Sequence, residues 1–140
     1  MNLLPGISPS VQALDAERVR MDLIAQNIAN AHTTRGPDGE VYQRKLAVFE
    51  SFMDPEMRGA QDRMLRGVRL AGVMDDPAQG ERVYNPGHPH ADPNGMVSMP
   101  NVKMAREMVD LITSQRGYQA NLEAVRAARE MARHALQISS

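Results

Sequence analysis

Apolar positions recur in two separate stretches, one toward each end of the chain, and both follow a four-three alternation. From Met104 the positions Met104, Met108, Leu111, Gln115, Tyr118, Leu122, Val125, Arg129, Ala132 and Leu136 form an unbroken heptad frame, and seven of these ten are plainly apolar. Gln115, Arg129 and the hydroxyl of Tyr118 interrupt it. The spacing predicts a helix over 102–138, about 55 Å long at 1.5 Å per residue. Pro100 keeps the approach extended and Asn101 is a candidate cap. Gly117 is the one weak residue, at a cost of about 1 kcal/mol relative to Ala. A compact chain of this size has a radius of gyration of only about 14 Å. The helix therefore predicts an elongated molecule, or one with partners along it.

The N-terminal stretch repeats the pattern. Leu14, Met21, Ile24, Ile28 and Ala31 fall on the same frame, with Glu17 as its polar exception. Ser8 or Ser10 can cap, Pro9 suits a first turn, and 10–31 contains neither Gly nor Pro. Asn27 to Thr34 is rich in Asn and Thr, which favour exit into a loop. Two such helices at opposite ends of one chain can pair antiparallel as a coiled coil. The expected fold is mainly α with a small β-rich insert: a discontinuous helical unit from 1–32 and 97–140, and an insert over 33–96. The insert holds most of the prolines and glycines. Its strand candidates are short, at Val41 to Phe49, Gly67 to Val73 and Glu81 to Tyr84, between turns such as Gly36-Pro37-Asp38-Gly39 and Asn94-Gly95. Asp54–Met64 reads as a loop or short helix.

Composition narrows the function classes. With 16 basic and 17 acidic side chains, nothing favours nucleic acid or an anionic membrane surface. No stretch approaches the roughly 20 apolar residues of a membrane span. The opening Met1-Asn2-Leu3-Leu4-Pro5-Gly6 lacks the basic and apolar regions of a cleavable signal peptide. The chain has no cysteine, which removes disulfides, zinc thiolates and thiol nucleophiles. That suits a reducing cytosol, and equally a protein that must avoid cross-linking after export. Eleven methionines against five aromatic rings suit helix–helix seams, where Met fills irregular gaps.

Candidate chemistry is thin. His88, His90 and Asp92 stand in an H-x-H-x-D order that zinc or iron could use, and alternate residues of an extended segment share a side. Against that, the segment is a Pro/Gly loop, and His32 and His134 are isolated. No nucleophile elbow, phosphate loop or dinucleotide glycine pattern is present. Asp75-Asp76 beside Pro77 reads as a turn. The arginines of the last helix interleave with acids at helical spacing, as in Glu123–Arg126 and Glu130–Arg133, which marks a solvated face. No catalytic, cofactor or metal residue is assigned. The residues expected to carry assembly are Leu14, Met21, Ile24, Ile28, Met108, Leu111, Tyr118, Leu122, Val125 and Leu136. Asn27, Asn30, Gln119 and Asn121 are candidates for setting register. A coiled-coil adaptor in the cytosol and, more remotely, a metal-dependent enzyme at His88, His90 and Asp92 remain alternatives on these grounds.

The same residues carry a resemblance. Ala25-Gln26-Asn27-Ile28-Ala29-Asn30 resembles the A-x-N-[IL]-A-N helix of flagellar axial proteins, the rod and hook family. Gly36-Pro37-Asp38-Gly39-Glu40-Val41-Tyr42-Gln43-Arg44-Lys45 resembles the G-P-D-G-x-x-Y-x-R-K loop of its proximal-rod branch, FlgC. Tyr84 to Asp92 and Gly95 to Val102 are similar to that branch's Y-x-P-x-H-P-x-A-D and G-Y-V-x-x-P-N-V, with Met96 in place of the usual Tyr. Glu107-Met108-Val109-Asp110 and Arg116-Gly117-Tyr118-Gln119-Ala120-Asn121 resemble its E-M-V-D and R-x-Y-Q-A-N, with Gly117 where a serine is common. The resemblance spans nearly the whole chain, in order. It implies a non-enzymatic rod subunit of the bacterial flagellar basal body without cofactors. Its partners would be other rod proteins, copies of itself and the flagellar type III export apparatus. Location would be the periplasmic rod, reached without a cleaved signal. It also makes the His88–Asp92 segment a structural loop.

Overall fold

A computed structural model describes residues 7–53 and 66–138. Helix α1 spans Ile7–Ala29 and helix α2 spans Met104–Ile138, with four strands between them: β1 Lys45–Met53, β2 Arg66–Asp75, β3 Arg82–Tyr84 and β4 Met96–Ser98. The molecule is mainly helical with a β insert. The Asp54–Met64 reading lies outside the described residues.

Helix α1 ends where Asn30 turns back on it. Both the backbone N–H and the side-chain amide of Asn30 donate to the Gln26 carbonyl, and Thr33 Oγ1 donates to Asn30 Oδ1. Asparagine satisfies helix-end groups that would otherwise be orphaned. The following Gly36–Glu40 turn closes through Gly36 N–H to the Glu40 carbonyl at 2.7 Å, with Gly39 at φ 84°.

Strands β1 and β2 are antiparallel, from Lys45 opposite Asp75 to Met53 opposite Arg66. The register shifts between Val48 and Phe49 and leaves Ala71 as an extra residue, a bulge that bends the hairpin. The hairpin lies on α1, where Val68 and Leu70 approach Ala16 and Val19, and the Arg20 guanidinium stands 5.6 Å from the Phe49 ring centre. Strands β3 and β4 form a second antiparallel pair, Arg82 opposite Ser98 and Tyr84 opposite Met96. Strand β4 was not among the sequence candidates. The Met99 N–H continues the ladder to the Glu81 carbonyl. This brings the chain so close at Gly80 that a Cβ there would lie 1.8 Å from the Met99 carbonyl oxygen.

Helix α2 starts two residues later than the predicted limit, and Asn101 does not cap it. The Asn101 side chain instead accepts from the Arg44 N–H at 2.7 Å and donates to the carbonyls of Asp76 and Ala78. Three insert groups outcompete the helix end for one amide.

Among the described residues the buried apolar side chains are Ile24, Ala31, Val97 and Val125, and the buried polar ones are Asn27, Glu107 and Ser114. Helix α1 packs along α2 and against both strands of the long hairpin. The centre of the helix–helix contact is thus small or polar, which decides how the larger apolar residues are placed.

Candidate assembly interface

A polar hub ties the helices to the insert. Glu107, with 0% of its surface exposed, accepts from Arg44 Nε at 2.6 Å and from Asn27 Nδ2 at 3.2 Å. Arg44 Nη2 reaches Asp110 at 3.3 Å and Arg44 Nη1 lies 3.8 Å from Asp76. Asn27 Oδ1 accepts from the Tyr42 hydroxyl and from the Lys45 N–H, both at 2.8 Å, and its amide also donates to the Lys45 carbonyl at 3.0 Å. Burial, followed by the charges of Asp75 and Glu107, raises the Tyr42 pKa and keeps its proton available for that bond. One asparagine, one arginine and one glutamate therefore fix α1, the 33–44 loop, β1 and α2 relative to one another. Arg44 and Glu107 were not proposed as site residues from the sequence. The available signal was that Asn27 and Glu107 are polar residues inside otherwise apolar stretches, each within a quoted family motif.

The histidine loop is held differently. His90 Nδ1 lies 2.8 Å from Thr34 Oγ1, and His88 Nδ1 accepts the His90 N–H at 3.1 Å. The two rings meet edge to face at 5.2 Å. Asp92 accepts the N–H groups of Asn94 and Met96, each at 2.9 Å, and pairs with Arg82. The Met96 N–H is the largest cause of its lowered pKa. Each of the three side chains thus has a hydrogen-bond partner. Among the described residues no group of three or more His, Cys, Asp or Glu side chains is placed to hold a metal ion.

The predicted assembly residues fall on lines along the helices, because residues seven apart nearly superimpose at 3.6 per turn. On α2, the line of Leu111, Tyr118, Val125 and Ala132 is buried or half-buried. The line of Met108, Gln115, Leu122, Arg129 and Leu136 stands further out, with Met108 51% and Leu136 60% exposed. The line one residue earlier, Glu107, Ser114, Asn121 and Ala128, is turned inward. On α1, Ile24 is buried, whereas Leu14, Met21 and Ile28 remain half-buried. Of the amide candidates, Asn27 sits in the hub, Asn30 closes the end of α1, Asn121 is half-buried and Gln119 is exposed. Ser114 Oγ and Glu17 Oε2 are buried without a hydrogen-bond partner among the described residues.

No described helix is long and apolar enough to cross a membrane. Two paired helices, a polar lock at one end and aliphatic side chains left half-covered along the seam describe a structural element built to assemble.

Comparison with known proteins gives that class its identity. A family model described as flagella basal body rod protein matches residues 10–37, and one described as flagellar basal body rod FlgEFG protein C-terminal matches residues 94–138. These are the two helical ends together with their approaches. The flagellar basal-body rod protein FlgC of Yersinia enterocolitica is 39% identical over 131 residues, covering 94% of this chain and 93% of the relative. That of Salmonella typhimurium is 38% identical over the same shares. That of Bacillus subtilis is 36% identical over 149 aligned residues, covering 99% of each. The chain belongs to the FlgC family of flagellar basal-body rod proteins. It is a structural component of the basal-body rod and not an enzyme.

Proposed function

We propose that this chain is a subunit of the proximal rod, polymerising through terminal helices that pair antiparallel as a coiled coil. Residues 1–32 and 97–140 form the inner helical unit and residues 33–96 an outer insert. Its partners are copies of itself and other rod proteins, and it reaches the periplasmic rod through the flagellum's own export apparatus. The observation that carries this reading is family membership over nearly the full length of both chains.

Two fixed points support the antiparallel register. Asn27 bonds Glu107, and a Cβ at Gly117 would lie 3.4 Å from the Glu17 carboxylate. Moving ten positions back along α1 therefore moves ten forward along α2. The half-covered Leu14, Met21, Ile28 and Leu111 support a role in packing against neighbours, since removing apolar surface from water yields about 25 cal/mol per Å². Helix α2, about 52 Å long by its rise per residue, gives a subunit stiffness along its axis. That suits transmitting torque around an open export channel.

Leu111→Asp tests the seam. The variant is expected to be exported but excluded from isolated basal bodies, leaving cells non-motile. Normal swimming with the variant in the rod would overturn the assignment. Fractionation of the wild-type chain into cytosol alone would overturn the rod reading itself.

A further inference from the structure

A cleft of about 380 Å³ opens between α1, β1 and α2 beside the polar hub. Its ionisable lining is unbalanced: four cations, Arg20, Arg44, Lys45 and Arg106, against one acid, Asp110. Two of the cations are engaged within the fold, Arg44 by Glu107 and Asp110 and Lys45 by Asp75. The other two are not. Among the described residues neither the Arg20 nor the Arg106 guanidinium has a hydrogen bond, and the one ion pair that either makes is Arg20 to Glu17 at 3.6 Å. Asp110 lies four residues beyond Arg106, a spacing that favours pairing, yet it bonds Arg44 at 3.3 Å.

Ser114 also lines the cleft. It is 1% exposed, and its Oγ has no hydrogen-bond partner among the described residues. A helical hydroxyl readily bonds back to the carbonyl four residues earlier. The adjacent Thr113 does so, donating to the Val109 carbonyl at 2.8 Å. Ser114 does not, and a buried hydroxyl left unpaired is costly. Counting seven positions along each helix from the Asn27–Glu107 contact, in the direction that Glu17 against Gly117 sets, brings Arg20 level with Ser114. Arg106 stands eight residues from Ser114, about 12 Å along the axis.

We propose that this cleft takes an acidic segment of a neighbouring rod subunit, with one carboxylate held by Arg20 and Ser114 and a second, about 12 Å away, held by Arg106. Charge complementarity selects the occupant. A carboxylate offers two oxygens to the fork of a guanidinium and accepts from a hydroxyl, so it satisfies the three groups that the fold leaves without hydrogen bonds. A basic segment sets like charges together, and an apolar one leaves all three groups unpaired. The proposal rests on the rod-subunit reading and adds the chemistry of the neighbour and the groups that recognise it.

Carbodiimide joins a lysine amine to a carboxylate in contact with it as an amide, and itself leaves as a urea. Arg20→Lys and Arg106→Lys are each made in the full-length chain and treated in assembled basal bodies. The expected product joins the substituted position to an aspartate or glutamate of a neighbouring rod subunit, identified by fragment mass and absent from the free chain. From either position, a link only to Glu17 or Asp110 of the same chain, or no link, overturns the proposal and leaves the rod assignment standing. Arg20→Glu combined with Arg106→Glu should melt as the wild type does and yet enter basal bodies about tenfold less. Full incorporation overturns the proposal, and if this variant melts lower the cross-link decides alone. Where a lysine variant does not enter the rod, wild-type basal bodies are treated with phenylglyoxal. Both arginines should then be protected about tenfold relative to the free chain, and equal modification overturns the proposal. Absence of even the wild-type chain from basal bodies overturns the rod reading as well.

Discussion

Glu107 is a carboxylate with no exposed surface, held among the described residues by Arg44 and Asn27. A buried charge is tolerated only when paired, so the hub carries a large penalty for losing one member. Arg44→Met is expected to cost about 3–5 kcal/mol of unfolding free energy, because Glu107 stays behind uncompensated. Arg44→Met with Glu107→Leu should recover most of that loss. Urea denaturation of the four chains of this double-mutant cycle measures the coupling, and a loss in Arg44→Met below about 1 kcal/mol would contradict it. A gentler pH effect belongs to His90. Its pKa is lowered by burial first, then by the charges of Arg35 and His88. The native state therefore holds fewer protons on this ring than the unfolded chain does. Its contribution is fully present above the ordinary imidazole range and is lost as pH falls through that range toward the lowered native value. Replacing His90 with Gln, which keeps a polar atom for Thr34, should flatten the fall in melting temperature between about pH 7 and pH 5.

At the scale of elements, the helices and their lengths were legible from the heptad spacing, but half of the α2 frame was displaced by one residue. Periodicity assigned Met108 inward and passed over Glu107, because apolar character is the only cue that a local pattern supplies. The inward position of Glu107 depends on Arg44, 63 residues away in sequence. No window along α2 contains that partner. Strand β4 escaped for a related reason: its place is set by pairing with β3 and by Met99 bonding Glu81. The histidine loop, by contrast, could be expected as a turn-rich segment from its prolines and glycines, and its structural role followed from the resemblance. Two glycines separate local propensity from tertiary fit. Gly117 lies inside α2, and an added Cβ meets only the flexible Glu17 carboxylate at 3.4 Å. Gly117→Ala should therefore stabilise the chain by about 0.5–1 kcal/mol through helix propensity. Gly80→Ala should do the opposite, because its Cβ would overlap backbone rather than a movable side chain. A shift of more than about 2 kcal/mol toward unfolding is expected, the scale of overpacking at a close approach. Thermal melts of the two variants in opposite directions would confirm the distinction.

For the molecule as a whole, the interactions between the helices are uneven along their length. The hub, Ile24, Ala31 and Ser114 concentrate burial where α1 ends and α2 begins. Beyond Gly117, Val125 is the one fully buried apolar side chain of α2 among the described residues, and Met131 and Leu136 are mostly exposed. In the proposed antiparallel register Ile7 is level with residue 127, so the last described turns of α2 extend about 16 Å past the described start of α1. Local opening free energy follows burial, and among the described residues Met131 and Leu136 have little of it. Amide exchange in the isolated subunit should therefore be slowest over residues 24–31 and 107–114 and should accelerate steadily from residue 118 to the end of α2. Incorporation into the rod supplies neighbours for Met131 and Leu136, and the same amides should then slow at least about tenfold, the change in opening equilibrium produced by about 1.4 kcal/mol of added contact. Uniform protection along α2 in the free subunit would mean that the pair is already complete without neighbours. The half-covered aliphatic lines would then be surface features and not assembly contacts. Slow exchange at the hub with fast exchange beyond Gly117 would instead place the folding of the distal half at the moment of docking, where burial of its apolar side chains offsets the entropy of ordering the helix.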